Sequence, residues 1–412
     1  MKIVIAPDKF KGSLPAAEVA SAIAAGLRAE WPEAELVTVP VADGGDGTVD
    51  AAVAAGLERV PVTVDGPTGE PVRASYARRG EMAVVELADA CGLARLPGGR
   101  PAPLTASSFG CGQVLAAALA AGARQIILGV GGSASTDGGA GLLQALGARV
   151  LDTRGEPLAR GGAALRDVAT LDLAGLHPAL RTVAVPDLGG LHPGVRSSTV
   201  ILATDVVNPL TGPDGAAEVY GPQKGASPEQ IAELASGLRR WAAVVAAATG
   251  TDRSQAPGAG AAGGVGFAAL AVLGAQARPG IGLVLDLVDF DAALDGAALV
   301  IIGEGSLDTQ TLAGKAPAGV ARAATRRGIP VVAVAGRSTL TEDQLAATGI
   351  SRVYTLTDLE PDLARSSAQA STLLRRVGQA LAREIQATGP GLAGCTRAGP
   401  FGIKNLISRT EP

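Results

Sequence analysis

Six short polar segments rich in glycine punctuate the chain: Asp8–Ser13, Asp43–Thr48, Gly131–Gly139, Asp205–Pro209, Gly258–Gly264 and Gly303–Asp308. They stand at the ends of apolar runs or the starts of amphipathic ones. Open α/β sheets place their ligand-binding loops there, and helix N-termini there present backbone N–H groups. One such segment is no more than a tight strand-to-helix turn. Six exceed what turn-making requires, and their spacing points to an α/β chain in which strands and helices alternate.

The elements between them fit that pattern. Lys2–Ala6 is a short apolar run of the kind buried in parallel sheets, and from Ala16 onward Val19, Ala20, Ile23, Ala24 and Leu27 share one helical face. Leu36–Val41 reads as a second strand and Gly45–Ala55 as a helix. Between Arg59 and Leu87 the character changes: Val60, Val62 and Val64 alternate, a Gly-Pro-Thr-Gly turn follows, and Val72–Ala77 and Met82–Leu87 read as strands. This is hairpin material, so a domain boundary is expected near residue 60. Gly110–Ala121 and Gly139–Leu146 read as helices on either side of the strand Gln125–Val130. Ser227, Pro228 and Gln230 form a capping box with proline at the first helical position, followed by an apolar face of Ile231, Leu234, Leu238, Trp241 and Val245.

From Ala298 the strands Ala298–Ile302, Val331–Ala335 and Arg352–Thr357 alternate with a helix at Pro317–Arg327 and another behind a Thr341/Gln344 capping box. Both chain ends share this style, and 412 residues suffice for two cores. The expected architecture is therefore one doubly wound parallel-sheet domain from residues 1–60 and 285–387. An α/β domain of mixed sheet, residues 61–284, is inserted in it, and residues 388–412 form a tail.

A net charge of −4 and a pI near 5.4 argue against broad binding of nucleic acid or anionic membranes, so any anionic ligand must be held by a few placed groups. The three cysteines, Cys91, Cys111 and Cys395, form no CxxC pair and are odd in number. Neither a disulfide framework nor a cysteine metal site is indicated, and a reducing cytoplasm is the expected setting. Met1–Pro7 reads at once as a strand rather than a leader, and Gln255–Ala277 falls short of the ~20 apolar residues of a membrane span. The two histidines, His177 and His192, sit in a local duplication, Asp172–Arg181 and Asp187–Arg196, read as a repeated surface segment without chemistry.

Phosphoryl transfer requires N–H groups and Lys or Arg around phosphate oxygens, carboxylates for Mg²⁺, and a base or orienting group at the attacking hydroxyl. The glycine-rich segments and their neighbours supply each part. Lys11, Lys224 and Lys315 lie beside glycine, against a plain reading as surface charges; Asp43, Asp46, Asp137, Asp205, Glu304 and Asp308 are the carboxylate candidates, against a plain reading as caps and turn formers. No Gly-x-x-x-x-Gly-Lys-Ser/Thr loop and no protein-kinase motif set is present. Gly258-x-Gly-x-x-Gly263 and Gly129-x-Gly-x-x-Ala134 match dinucleotide fingerprints, so a nicotinamide-dependent oxidoreductase acting on a small hydroxy acid remains the alternative. A non-catalytic hydroxy-acid-binding protein is a third class.

The ordered set Ile5–Leu14, Ala42–Thr48, Gly131–Gly139, Ala203–Leu210, Tyr220–Ala226 and Gly303–Lys315 resembles the glycerate kinase family of the bacterial glycerate 2-kinase type, from Met1 to about Ala387. It departs from the family pattern at Lys9 and Pro15, where Ser is common, and at Asp46, where Glu is. The resemblance implies a flavodoxin-like domain from both chain ends, an inserted domain, ATP and Mg²⁺ as cofactors, and D-glycerate as acceptor with 2-phosphoglycerate as product. Glycerate and ATP are then the partners, with room for a homo-oligomer. On this footing Lys11, Asp205 and Asp43 are expected to be catalytic, and Asp8, Ser133, Asp137, Asn208 and Lys224 to bind substrate. Gly258, Gly260, Gly263, Gly303, Gly305, Thr311 and Lys315 are expected to bind ATP, and Asp308 with Glu304 to place Mg²⁺. Because the six loops divide between the two expected domains, catalysis is expected to require closure of the inserted one.

Overall fold

The structure, a computed structural model, describes residues 1–180, 198–312 and 315–388. The second copy of the duplication, with His192, and the tail from residue 389 lie outside the described residues. In chain order the described strands are β1 (Lys2–Pro7), β2 (Glu35–Thr38), β3 (Glu58–Asp65), β4 (Pro71–Arg79), β5 (Met82–Glu86), β6 (Gln125–Gly129), β7 (Arg149–Asp152), β8 (Val168–Asp172), β9 (Thr199–Ala203), β10 (Gln276–Arg278), β11 (Ala297–Leu307), β12 (Val331–Ser338) and β13 (Ile350–Thr355). The chain divides into two compact units, one of Met1–Asp43 with the chain from Ile281 on, the other Gly44–Gly280.

The first unit holds a parallel sheet in the order β13-β12-β11-β1-β2. Its strand β1 is apolar without alternation because both faces are covered: Ile3, Val4 and Ile5 are fully buried. Each such side chain contributes about 1.5–3 kcal/mol relative to exposure. On the helix Ala16–Glu30 the five face residues expected from the sequence are all buried. That helix lies against Ala370–Thr388, and the two meet at glycines. A Cβ on Gly26 would stand 2.0 Å from the Arg375 carbonyl oxygen, and one on Gly378 would stand 2.4 Å from that of Ile23. Beside β13, Glu384 accepts from the Tyr354 hydroxyl and pairs with Arg352, so the charge of this buried carboxylate is matched.

The second unit is built on a mixed sheet in the order β10-β9-β6-β5-β4-β3. β3, β4 and β5 run antiparallel in succession, and β5, β6, β9 and β10 are parallel. β7 and β8 form a separate hairpin. The capping box at Ser227 is formed: Gln230 N donates to Ser227 Oγ at 3.3 Å and Ser227 N to Gln230 Oε1 at 2.9 Å. The division between the units falls at 43/44, ahead of the hairpin where composition changes. The helix Thr48–Ala54, which the sequence groups with the first strands, packs on β4 and β5. Its small apolar face, Val49, Ala51 and Ala52, is what those strands bury.

A methyl group at residue 26 would meet a backbone carbonyl that cannot rotate away, which outweighs the ~1 kcal/mol of helix propensity gained over glycine. Gly26→Ala is expected to lower urea-unfolding stability by about 1–3 kcal/mol and to speed amide exchange in the Ala16–Glu30 and Ala370–Thr388 helices while leaving Pro228–Thr249 unchanged. Exchange that rises equally in all three helices would rule out this local cause.

Candidate active site

In the first unit the chain leaves β1 outward to β2 and returns on the other side of β1 with β11, so the carboxyl ends of β1 and β11 flank a topological switch point. Open α/β sheets place ligands at such points. Asp8 follows β1, and its N–H donates to the Gly303 carbonyl of β11 at 2.8 Å. The Asp8 side chain is buried, and burial pushes its carboxyl up to about 7; Lys9 opposes this while Asp43 and then Glu304 add to it. Lys9 N donates to Asp8 Oδ1 at 2.6 Å, and Lys9 Nζ stands 3.8 Å from the same oxygen.

β11 runs on past its apolar stretch and carries Glu304. Burial raises the Glu304 carboxyl, Thr311 and Lys315 lower it, and Asp43 and Asp308 raise it further. The buried Thr311 hydroxyl ties the loop together by donating to Glu304 Oε2 at 2.9 Å and accepting from Asp308 N at 3.2 Å. Lys315 occupies the cap position of the helix Ala316–Arg326. Asp8, Asp43, Glu304, Asp308, Lys9 and Lys315 are thus one electrostatic group.

Lys11 stands exposed on the turn closed by the Phe10–Leu14 backbone pair. Gly303 and Gly305 have a packing reason to be glycine: their Cβ atoms would lie 2.9 Å from Pro7 Cβ and 3.3 Å from Lys11 N. Among the described residues no group of three or more His, Cys, Asp or Glu is arranged to hold a metal ion.

In the second unit the loops at the carboxyl ends of β5, β6 and β9 interlock backbone to backbone. Asp137 is buried, and its Oδ2 accepts from Ser108 N at 2.8 Å, Ser108 Oγ at 2.9 Å and Ser107 Oγ at 3.1 Å, while Oδ1 accepts from Gly139 N at 3.1 Å. Such a carboxylate joins two loops. Lys224 is buried too, with its ammonium on the Ser135 carbonyl oxygen at 2.5 Å. Burial lowers its amine to about 8, against the pull of Asp137. The Ser133 hydroxyl accepts from Ser135 N at 3.1 Å within the same loop. Asn208 Oδ1 accepts from Tyr220 Oη at 2.7 Å, its Nδ2 donates to the Asp214 carbonyl at 2.9 Å, and Asp205 Oδ1 accepts from Gly280 N at 3.0 Å.

The Gly258–Gly264 segment follows no strand. Ala262, Gly263 and Gly264 take three left-handed conformations in a row, with φ of 54°, 66° and 96°. This kink carries the segment into the Gly131–Gly139 loop: Gly138 N donates to the Gly263 carbonyl at 2.9 Å, and a Cβ on Gly263 would stand 2.1 Å from the Ser135 oxygen. A Cβ on Gly260 would stand 2.3 Å from the Pro209 oxygen. Packing between loops therefore accounts for the spacing that matches a dinucleotide fingerprint. His177 Nδ1 accepts from Ala179 N at 3.3 Å, a turn contact.

Three polar residues that no sequence pattern singles out belong here: Ser107 and Ser108, which hold Asp137, and Glu86, which ends β5. Glu86 is a single acid behind an apolar run, and the two serines precede a helix as ordinary cap formers do.

Asp8 holds its proton to a higher pH folded than unfolded. As pH rises from about 4 to about 7 the unfolded chain loses that proton first, so this group's contribution to stability falls across the window. Asp8→Asn removes the ionisation. It is expected to be more stable than the parent at pH 8 by roughly 2–4 kcal/mol, since each tenfold change in proton affinity corresponds to about 1.4 kcal/mol, with the difference shrinking toward pH 4. Urea-unfolding curves at stepped pH measure it, and a difference that does not change with pH would contradict the assignment.

Comparison with known proteins agrees in extent. The sequence model of the glycerate kinase family matches residues 3–386. The chain is 41% identical over 389 residues to the glycerate kinase of Bacillus subtilis (strain 168), covering 94% of this chain and 98% of that one. It is 44% identical over 347 residues to the glycerate 2-kinase of Escherichia coli (strain K12), covering 83% and 86% respectively. A crystal structure described as a glycerate kinase 2 from Salmonella typhimurium LT2 superposes with a TM-score of 0.76 at 43% identity, covering 94% of this chain and 98% of that one. The chain belongs to the glycerate kinase family.

Proposed function

We propose that the protein transfers the γ-phosphoryl group of ATP, with Mg²⁺, to D-glycerate and gives 2-phosphoglycerate. What supports the reading is the acidic group around the buried Asp8 at the switch point of β1 and β11, in a chain matched to this family over nearly its whole length. Asp43 adds to the raised carboxyls of both Asp8 and Glu304, and Asp308 to that of Glu304, a crowding of negative charge that a cation would relieve. Mg²⁺ takes one or two protein carboxylates and completes its shell with water and phosphate oxygens, and Glu304 near the end of β11 with Asp308 just after it fit that donor set. Bound there, the ion would neutralise charge on the ATP phosphates.

The chain's own groups do the rest in this reading. Lys11, exposed on its turn, offers positive charge to the transferring phosphoryl group or the glycerate carboxylate. Lys315 adds a cation beside Glu304 and the helix start that follows it. Asp8 takes a hydrogen bond from a glycerate hydroxyl, and a carboxyl titrating near 7 can receive that group's proton as the oxygen attacks. Burial is what chiefly holds Asp8 at this value, and the charge of Asp43 adds to it. In the second unit Asp205 is the further catalytic group of this reading and Ser133, Asp137, Asn208 and Lys224 its substrate-binding groups, with Asp137 and Lys224 also fixing the loops that carry them. The Gly258–Gly264 segment follows no strand, which weighs against the oxidoreductase alternative.

ADP release with ATP, Mg²⁺ and D-glycerate, run beside nicotinamide-absorbance controls, tests the reading, and phosphorus NMR of the product tests the position of transfer. Absence of ADP release with every short hydroxy acid would end it. Lys11→Ala is expected to lower kcat/KM by about 10²-fold or more without loss of folding, the scale at which removing one charge-stabilising group acts. Asp308→Asn is expected to raise the Mg²⁺ concentration needed for half-maximal rate. An unchanged Mg²⁺ dependence would mark Asp308 as a loop former instead.

A further inference from the structure

We propose that Glu86 is a positioning residue for phosphoryl transfer, acting through the Gly44–Thr48 turn, an inference that rests on the kinase reading above. That turn begins one residue after Asp43 and crosses the carboxyl ends of three strands. Over β9, a Cβ on Gly44 would lie 3.0 Å from the Ala203 oxygen. Over β6, a Cβ on Gly129 would lie 2.6 Å from the Gly44 oxygen, and one on Gly131 would lie 2.5 Å from Gly45 Cα. The Thr48 hydroxyl closes the turn by donating to the Gly45 carbonyl at 2.6 Å.

At its far end the turn hangs on one side-chain atom. Glu86 Oε2, at the end of β5, accepts from Gly47 N at 3.1 Å and Val49 N at 3.0 Å. The residue is 4% exposed, and its Oε2 is taken up by the turn backbone, so the role assigned to it is through that backbone. Two acids face it, Asp46 from the turn and Asp89 from the helix Leu87–Cys91, and Asp89 is in turn paired with Arg95. Burial, with Asp46 and Asp89 adding, raises the Glu86 carboxyl to about 8 despite the two N–H bonds. What this atom holds is the backbone of a turn lying against the end of β9 and the start of the Gly131–Gly139 loop. A shift of about 1 Å in such a support costs on the order of 10²-fold in rate.

The test is steady-state kinetics of the full chain with ATP, Mg²⁺ and D-glycerate for Glu86→Ala, Glu86→Asp and Glu86→Gln, each checked for a cooperative melt. Glu86→Ala, which removes the acceptor, and Glu86→Asp, too short to reach both N–H groups, are expected to lose kcat about 10²-fold with both KM values within about threefold of the parent. Glu86→Gln keeps an acceptor oxygen and is expected to stay within about fivefold in kcat. If the alanine variant does not fold, the aspartate variant decides. A folded alanine or aspartate variant with kcat within about threefold of the parent overturns the proposal, as does a glutamine variant as impaired as alanine. A parent protein without kinase activity would fail the underlying reading itself and take this proposal with it, a result distinguishable because the parent is measured first.

Discussion

Loop backbones in this protein approach one another more closely than any Cβ atom would permit, and the placement of the polar groups follows from that. In the second unit the Gly44–Thr48 turn, the Gly131–Gly139 loop and the kinked Gly258–Gly264 segment touch through glycines, where an added Cβ would stand 2.6 Å or less from a neighbouring backbone atom. Side chains are excluded from these seams, so each loop's remaining polar atoms must be satisfied from outside them. Asp137, Lys224 and Glu86 do this from buried positions. The Trp241 indole N–H, donated to the Gly138 carbonyl at 2.9 Å, joins the long helix Pro228–Thr249 to the same assembly. Rigid loops at strand ends are what a site needs in order to present N–H groups without reorganising.

Such an arrangement is costly to stability. A carboxyl raised to about 7 at Asp8, another to about 8 at Glu86 and an amine lowered to about 8 at Lys224 each show that burial works against the charged form. Cores built for stability alone would hold apolar groups of similar volume there. The Arg352–Glu384–Tyr354 network differs: its charges are matched within the group, and it lies beside β13 away from the acidic group at the switch point. Burial that still works against the charged form at Asp8 and Glu86, both at strand ends, is the pattern expected where destabilisation is retained for chemistry.

Much of the fold was legible because its signals are local. The apolar run of β1, the five-residue face of Ala16–Glu30 and both capping boxes formed as their spacing implies. The parallel sheet from both chain ends followed from repeated βα units, and its strand order fits that expectation. Where the structure departs from the expectation, contacts distant in sequence decide. β11 extends to Leu307 because β12 continues to pair with it as far as Ser338, beyond the apolar run that ends at Ile302. Thr48–Ala54 joins the second unit because β4 and β5 offer it a surface. At the site, Gly260, Gly263 and Gly264 pack against neighbouring loop backbones, a contact between segments distant in sequence that their spacing could not disclose. Glu86 had no local signal: its partners, Gly47 and Val49, lie on a different element far back in the chain.

The two lysines that look equivalent in sequence show how burial sorts chemistry. Both Lys11 and Lys224 lie beside glycine in polar loops. Lys11 sits at the exposed tip of a turn, where an ammonium keeps its hydration and its reach, so it can follow a charge that moves during reaction. Lys224 is enclosed, and its ammonium is already held on the Ser135 carbonyl, whose loop also houses Asp137. A buried ammonium fixed by a carbonyl is held in place, and in low-dielectric surroundings its charge acts strongly on its neighbours. The two lysines thus differ in reach and in surroundings, a difference that residue type and spacing leave undetermined and that burial sets.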